Sequence, residues 1–212
     1  MVAASRYSFP YGILVNRLGQ RFVDEGENFF NWTYNRYGKD IIAQPGSVAF
    51  QIFDDKSFQQ VTYKDGLKTE SNSLEELARD AGINVEGFMR TVTEYNAAIP
   101  DGSPPFVPYA LDGLRTVGLR PDKTNWAQKL DKPPYRAFAV ISGITMTYGG
   151  LKVDERARVI DTMDRPIRGL YAVGEVTGGY FYHTYLGGSG LIRGAVMGRV
   201  AAAEATALAS GT

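Results

Sequence analysis

The chain has 212 residues, 44% of them hydrophobic, enough for one large domain or two modest ones, each with its own core. Lysine plus arginine and aspartate plus glutamate both number 23, so no net field draws the chain to nucleic acid or to an anionic membrane surface. Cysteine is absent and His183 is the sole histidine, which excludes disulfides, thiolate catalysis and cysteine-ligated metals and argues against a histidine-built metal centre.

Taken in chain order, residues 12–23 hold two short β-prone runs around an Asn16 to Gly19 turn signal, which predicts a hairpin. Aromatic-rich Phe29 to Gln44 predicts a helix stopped by Pro45-Gly46, with Val48 to Phe53 as the next strand. Ser73 and Glu76 form a capping-box pattern, and Asn84 is placed to cap a second helix running to about Ala98. Val85, Phe88, Met89, Val92 and Tyr95 recur at helical spacing and define a core stripe. Pro100 to Pro134 lacks periodicity and reads as a long connection, with at most one short element around Trp126 to Leu130; a functional or mobile loop and a plain surface linker are equally consistent with it. From Tyr135 onward strand-like runs alternate with turn signals: Phe138 to Ile141, Gly150 to Val153 and Leu170 to Val173. A second folding unit is expected to start near residue 142, and alanine-rich Gly190 to Ala209 is expected to form a C-terminal helix. No stretch approaches the roughly 18 apolar residues of a membrane span, and the N-terminus lacks a secretory h-region. A soluble, cytoplasmic chain with no membrane span is expected.

Three stretches carry chemistry. In Gly169 to Gly179 a buried-type strand runs into glycines and one carboxylate, Glu175, which would stand past the strand's end and accept a hydrogen bond from a ribityl or ribose hydroxyl; a tight turn with an exposed glutamate would look the same. His183 to Leu191 sets glycines and Ser189 immediately before the C-terminal helix, whose first amides form a site for an electron-rich oxygen such as a flavin carbonyl; an ordinary N-cap is the plain alternative. Gly143 to Gly150 alternates Thr145, Thr147 and neighbouring apolar residues and ends in a glycine pair, suited to line a pocket or simply to form a strand.

On Tyr11 to Asn16, Gln20 to Gly26, Asn125-Trp126-Ala127, Gly143-Ile144-Thr145, Gly149-Gly150-Leu151, Gly169 to Glu175 and Gly187 to Leu191, the sequence resembles the fumarate reductase and succinate dehydrogenase flavoprotein superfamily, and within it the tricarballylate dehydrogenase branch. The resemblance implies an α+β chain in two parts, a substrate-covering cap over 1–142 and the C-terminal β/α part of a FAD-binding domain over 143–212. It implies FAD as cofactor, held by Gly149, Gly150, Gly174, Glu175, Gly187, Gly188, Ser189, Gly190 and Leu191, with Thr145, Thr147 and Tyr148 facing substrate. No G-x-G-x-x-G turn opens a βαβ unit here, so the pyrophosphate-holding Rossmann half is expected to be a missing partner. The resemblance further implies dehydrogenation of a saturated carboxylic acid, with hydride passing to flavin.

Departures from the superfamily matter too. Positions at which fumarate reductases carry an acid arginine, a substrate histidine and a substrate arginine hold Phe29, Met146 and Tyr185. His183-Thr184-Tyr185 is instead similar to the 3-ketosteroid dehydrogenase branch, which makes Tyr185 the expected carbonyl-polarising residue; His183, the sole imidazole, is a candidate proton acceptor or substrate hydrogen-bonding group, and equally a packed, neutral histidine. A small-molecule carboxylate would need a cation, and Arg36, Arg115, Arg120, Arg136 and Arg193 are the candidates. Two alternatives stand beside this: an enzyme acting on a neutral enone, and a cap or interaction module without catalysis of its own. An incomplete FAD domain would expose a sheet edge and an apolar face, so oligomerisation or dependence on a partner chain is expected.

Overall fold

The computed structural model describes residues 7–61, 64, 68–144 and 146–211, which divide into two compact units, Met1–Gly143 and Ile144–Thr212. The described elements of the first are β1 (Ile13–Asn16), α1 (Phe30–Ile42), β2 (Val48–Phe53), α2 (Asp55–Phe58), β3 (Thr69–Ser71), α3 (Leu74–Ala81), α4 (Val85–Ala97) and β4 (Tyr135–Ile141). The four strands form one antiparallel sheet in the order β1-β2-β4-β3. Alternation along the strands feeds a core on each face. Ile13, Val15, Phe50, Ile52 and Ala137 meet Leu77, Ala78, Phe88, Val92 and Tyr95 of α3 and α4, the stripe expected from spacing. On the opposite side Leu14 and Ala49 meet Tyr37 and Ile41 of α1, and Phe53 and Phe138 meet Phe58 of α2. Because both faces are covered, all six residues of β2 are buried.

Capping fixes where α3 and α4 begin. Ser73 Oγ accepts the Glu76 amide at 3.1 Å, and Asn84 Oδ1 accepts the Gly87 amide at 2.7 Å. The Glu76 carboxylate does not return to the Ser73 amide as a full capping box would have it. It accepts instead from the Ser71 hydroxyl, and Ser71 Oγ takes the Ser73 amide. The expected hairpin over 12–23 is reduced to a tight turn and one bridge, Val15 to Arg21, because β1 spends its length pairing with β2.

The long connection after α4 contains no helix or strand, and the short element expected around Trp126 is absent: Trp126 itself has φ +56. Carboxylates and amides staple this strap in place. Asp112 accepts the Val107, Leu114 and Trp126 amides, and Asn96 exchanges two bonds with Leu130. Asp24 accepts both the amide and the hydroxyl of Thr124, and Asn125 donates to the Gly26 carbonyl. Under the strap lies a charged cluster. Glu25, fully buried, accepts from Arg21 Nε and Nη2 and from the Leu14 amide, while the fully buried Lys123 ammonium donates to the Gly12 carbonyl at 2.5 Å.

The second unit holds a two-stranded antiparallel ribbon, β5 (Arg158–Ile160) with β6 (Pro166–Tyr171), and one 22-residue helix, α5 (Ser189–Ser210). Two expectations change here. The stretch 150–153 is no strand but a pair of isolated bridges, Leu151 to Thr177 and Val153 to Val159. The strand before Gly174, expected to be buried, is exposed from Pro166 to Leu170, since a two-stranded ribbon covers neither of its own faces. Helix α5 buries no residue, and Leu191 is 82% exposed. Among the described residues no helix is long and apolar enough to cross a membrane.

Candidate functional site

The second unit gathers most of the expected site residues from three segments: 146–150, 174–181 and 183–191. Past β6 the chain makes a 3-10 turn, Gly174–Val176, which presents Glu175 outward. Glu175 Oε1 accepts the Thr147 amide at 3.0 Å, so the carboxylate joins the first segment to the second. Gly150 and Gly178 cross backbone to backbone: Leu151 N–H meets the Val176 carbonyl at 2.8 Å, and Gly178 N–H meets the Leu151 carbonyl at 3.1 Å. A Cβ on Gly150 would lie 2.4 Å from the Val176 oxygen, which is the local reason for glycine at that position. Tyr148 is half-buried, its ring 5.9 Å from that of Phe181. Thr145 lies outside the described residues.

Tyr185 is the best-defined side chain of the third segment. It is 6% exposed, its ring stands edge-on to Phe181 with centroids 4.8 Å apart, and its phenol oxygen accepts the Gly190 amide at 3.0 Å. A Cβ on Gly190 would come within 2.7 Å of that oxygen, so the glycine permits the approach. Among the described residues the phenol proton has no acceptor, while the oxygen is held at the positive end of α5. His183 differs: it is exposed, packs edge-on to Tyr182 with centroids 4.5 Å apart, and forms no hydrogen bond with Tyr185 among the described residues.

The start of α5 is arranged otherwise than a serine cap would have it. Gly188, with φ +86, is the N-cap, and the Ser189 hydroxyl turns back to the Leu186 carbonyl. Two first-turn amides are taken, Ser189 N–H by Leu186 and Gly190 N–H by Tyr185, and among the described residues the Leu191 amide has no acceptor. Gly187 and Gly188 are exposed, and a Cβ on Gly149, Gly174 or Gly188 would meet nothing within 4 Å. Bare backbone, one free amide at a long helix's N-terminus and an outward carboxylate suit a ligand that offers both hydroxyls and a charge-accumulating oxygen, as FAD does.

Of the five candidate arginines, Arg36 pairs with Glu27 and Asp40, and Arg136 pairs with Glu70 and Asp55. Arg115 and Arg120 are exposed on the strap. Arg193 alone belongs to the unit that holds the glycine motifs. Tyr180 and Phe181, which wall this site, escaped sequence reasoning; the signal was the aromatic pair directly after Gly178-Gly179. No cluster of three or more acidic or histidine side chains suited to a metal occurs among the described residues.

Comparison with known proteins identifies the family. Residues 4–191 match the model of the FAD binding domain family, so the chain belongs to that family and FAD is its cofactor. It is 31% identical over 194 residues to a probable fumarate reductase of Shewanella frigidimarina, covering 89% of this chain and 30% of the relative. With a 3-oxosteroid 1-dehydrogenase of Mycolicibacterium smegmatis it shares 27% identity over 229 residues, covering 98% and 40%. The solved 3-ketosteroid Δ1-dehydrogenase of Sterolibacterium denitrificans superposes with a TM-score of 0.70 at 28% identity, over 96% of this chain and 40% of that one. The chain therefore spans well under half the length of the relatives it matches. Its α+β architecture is that of the steroid dehydrogenase neighbour.

Proposed function

We propose that the whole protein is a FAD-dependent oxidoreductase that exchanges a hydride and a proton with adjacent carbons next to a carbonyl group. The observation that carries this reading is Tyr185: a buried phenol whose oxygen accepts the Gly190 amide and whose proton has no acceptor among the described residues. FAD, when bound, supplies the two-electron acceptor or donor. Tyr185 would donate a hydrogen bond to the substrate carbonyl and stabilise the negative charge that develops on its oxygen. Glu175 would accept from a hydroxyl of the bound FAD, and the Leu191 amide, without an acceptor among the described residues, would donate to it at the N-terminus of α5.

In this reading residues 1–142 form a substrate-covering cap and 143–212 the returning part of the FAD domain. The pyrophosphate-binding Rossmann turn comes from sequence outside these residues, consistent with a chain that spans 30% to 40% of these relatives. A carbonyl flanked by apolar carbon, as in a ketone or enone, suits the aromatic wall of Tyr148, Tyr180 and Phe181. A tricarballylate-like saturated acid is the second reading, favoured by the identity to the fumarate reductase. It requires a cation, and Arg193, the one of the five candidate arginines in the same unit, already donates to the Gly174 carbonyl.

Anaerobic mixing of the FAD-loaded full protein with a saturated 3-ketosteroid and, separately, with tricarballylate tests both. Bleaching of the flavin band by the ketone, lost by about a hundredfold in rate in Tyr185→Phe with FAD content unchanged, is the expected outcome. Bleaching by the tricarboxylate alone would establish the second reading, and no bleaching by any carbonyl compound would contradict the proposal.

A further inference from the structure

Arg193 touches both the Gly174 turn and the aromatic wall of the candidate site. It is the fifth residue of α5, and no carboxylate pairs with it among the described residues. Its Nη2 donates to the Gly174 carbonyl at 2.8 Å. That same oxygen also accepts the Thr177 amide at 3.1 Å and the Thr177 hydroxyl at 2.6 Å. Three donors on one carbonyl pin the Gly174–Val176 turn from which Glu175 projects. The face of the guanidinium lies over the ring of Tyr180 at 4.6 Å and reaches that of Phe181 at 5.6 Å. Phe181 in turn stands against both Tyr185 and Tyr148. The Nε atom is enclosed and has no hydrogen-bond partner.

We propose that Arg193 is the positioning residue of this site: one planar cation ties the Glu175 turn to the aromatic wall that holds Tyr185, and so fixes the cofactor-binding and substrate-polarising groups relative to each other. The role deepens the FAD oxidoreductase reading and rests on it. A direct carboxylate binder would present its donor fork to solvent. Here one arm is committed to Gly174 and Nε is shut in, so the residue acts through Glu175 and Tyr185 and does not itself grip substrate. Lysine cannot substitute, because its ammonium has no plane to lie on Tyr180 while donating to Gly174.

The test compares Arg193→Met and Arg193→Lys in the FAD-loaded full protein. Arg193→Met is expected to weaken FAD binding at least tenfold and to lower kcat at least tenfold with KM for the carbonyl substrate changed less than twofold. Arg193→Lys is expected to recover less than half of either loss. Full recovery by lysine would reduce the role to charge and overturn the proposal. A rise in KM alone, with kcat and FAD affinity unchanged, would make Arg193 a substrate-binding residue and overturn it equally. Amide hydrogen exchange gives a readout independent of flavin: Gly190 and Thr177, whose acceptors are Tyr185 and Gly174, are expected to exchange at least tenfold faster in Arg193→Met, and unchanged protection would contradict the assignment. If wild-type protein binds no FAD, the functional reading fails, while the exchange result still decides the positioning role. Should Arg193→Met not fold, Tyr180→Leu removes the ring beneath the guanidinium and is expected to speed the same two amides; no change there would likewise overturn the proposal.

Discussion

Lys123 shows how a residue that reads as a surface charge can control stability. Burial pulls its ammonium down from the ordinary 10.5 to about 8, against the opposing pull of Glu25. Below pH 8 both folded and unfolded chains carry the proton, and the buried charge weighs fully on the fold. Between about 8 and 10.5 the folded chain holds fewer protons than the unfolded one, so stability rises with pH, by at most about 3 kcal/mol. Burial also drives Tyr37 and Tyr95 well above their ordinary 10.0, so above pH 10 the unfolded chain sheds protons that the folded one keeps, and stability falls. Urea melts across pH 7 to 11 are expected to show a maximum near pH 10, and Lys123→Met is expected to remove the rising limb while leaving the falling one. A flat wild-type profile between pH 8 and 10 would refute the buried ammonium. None of this was legible in sequence, because Glu25 and Lys123 lie almost a hundred residues apart in segments without periodicity. The hydrogen bond from the Gly190 amide to Tyr185 was not legible, since a capping phenol has no sequence signature. His183 is the sole histidine, and nothing in the sequence signals that its ring is exposed.

At the scale of elements, structure follows from sequence where local chemistry dictates it. The Ser73 and Asn84 caps, the apolar stripe of α4 and the β-branched and aromatic run of β2 each follow from spacing and side-chain type. Replacing Asn84 by alanine strips the Gly87 amide of its acceptor and is expected to cost about 1 kcal/mol in denaturant melts, with Asn84→Ser costing less. The strap between α4 and β4 was opaque because its order comes from individual staples that do not repeat. Asp24 illustrates the dependence: Asp24→Ala would strand the Thr124 and Gly26 amides and is expected to destabilise by about 2 kcal/mol, and wild-type stability in that variant would show the strap to be held otherwise. The strand before Gly174 was misjudged for a related reason. Its apolar residues signal burial, but the partner that would bury them is absent from the two-stranded ribbon in which they stand.

Across the molecule the two units differ in how they are held. Three apolar cores, all built from residues below 141, lie in the first unit. The second buries few side chains, while Leu191, Ile192, Val196, Met163 and Leu170 stay exposed. Residues 1–143 expressed alone are expected to unfold in one cooperative transition, whereas α5 is expected to show amide exchange near the unchecked rate until the rest of a FAD domain covers it. Such bare apolar surface also favours association, and light scattering of the 212-residue chain is expected to show species larger than a monomer. The most direct test of the whole reading is a stoichiometric FAD titration of the full protein, followed in the visible flavin band, for wild type and Glu175→Ala side by side. Uptake of one FAD per chain, weakened at least tenfold by the substitution, is the expected result; a protein that stays colourless, or one that binds FAD equally tightly without the Glu175 carboxylate, would contradict it.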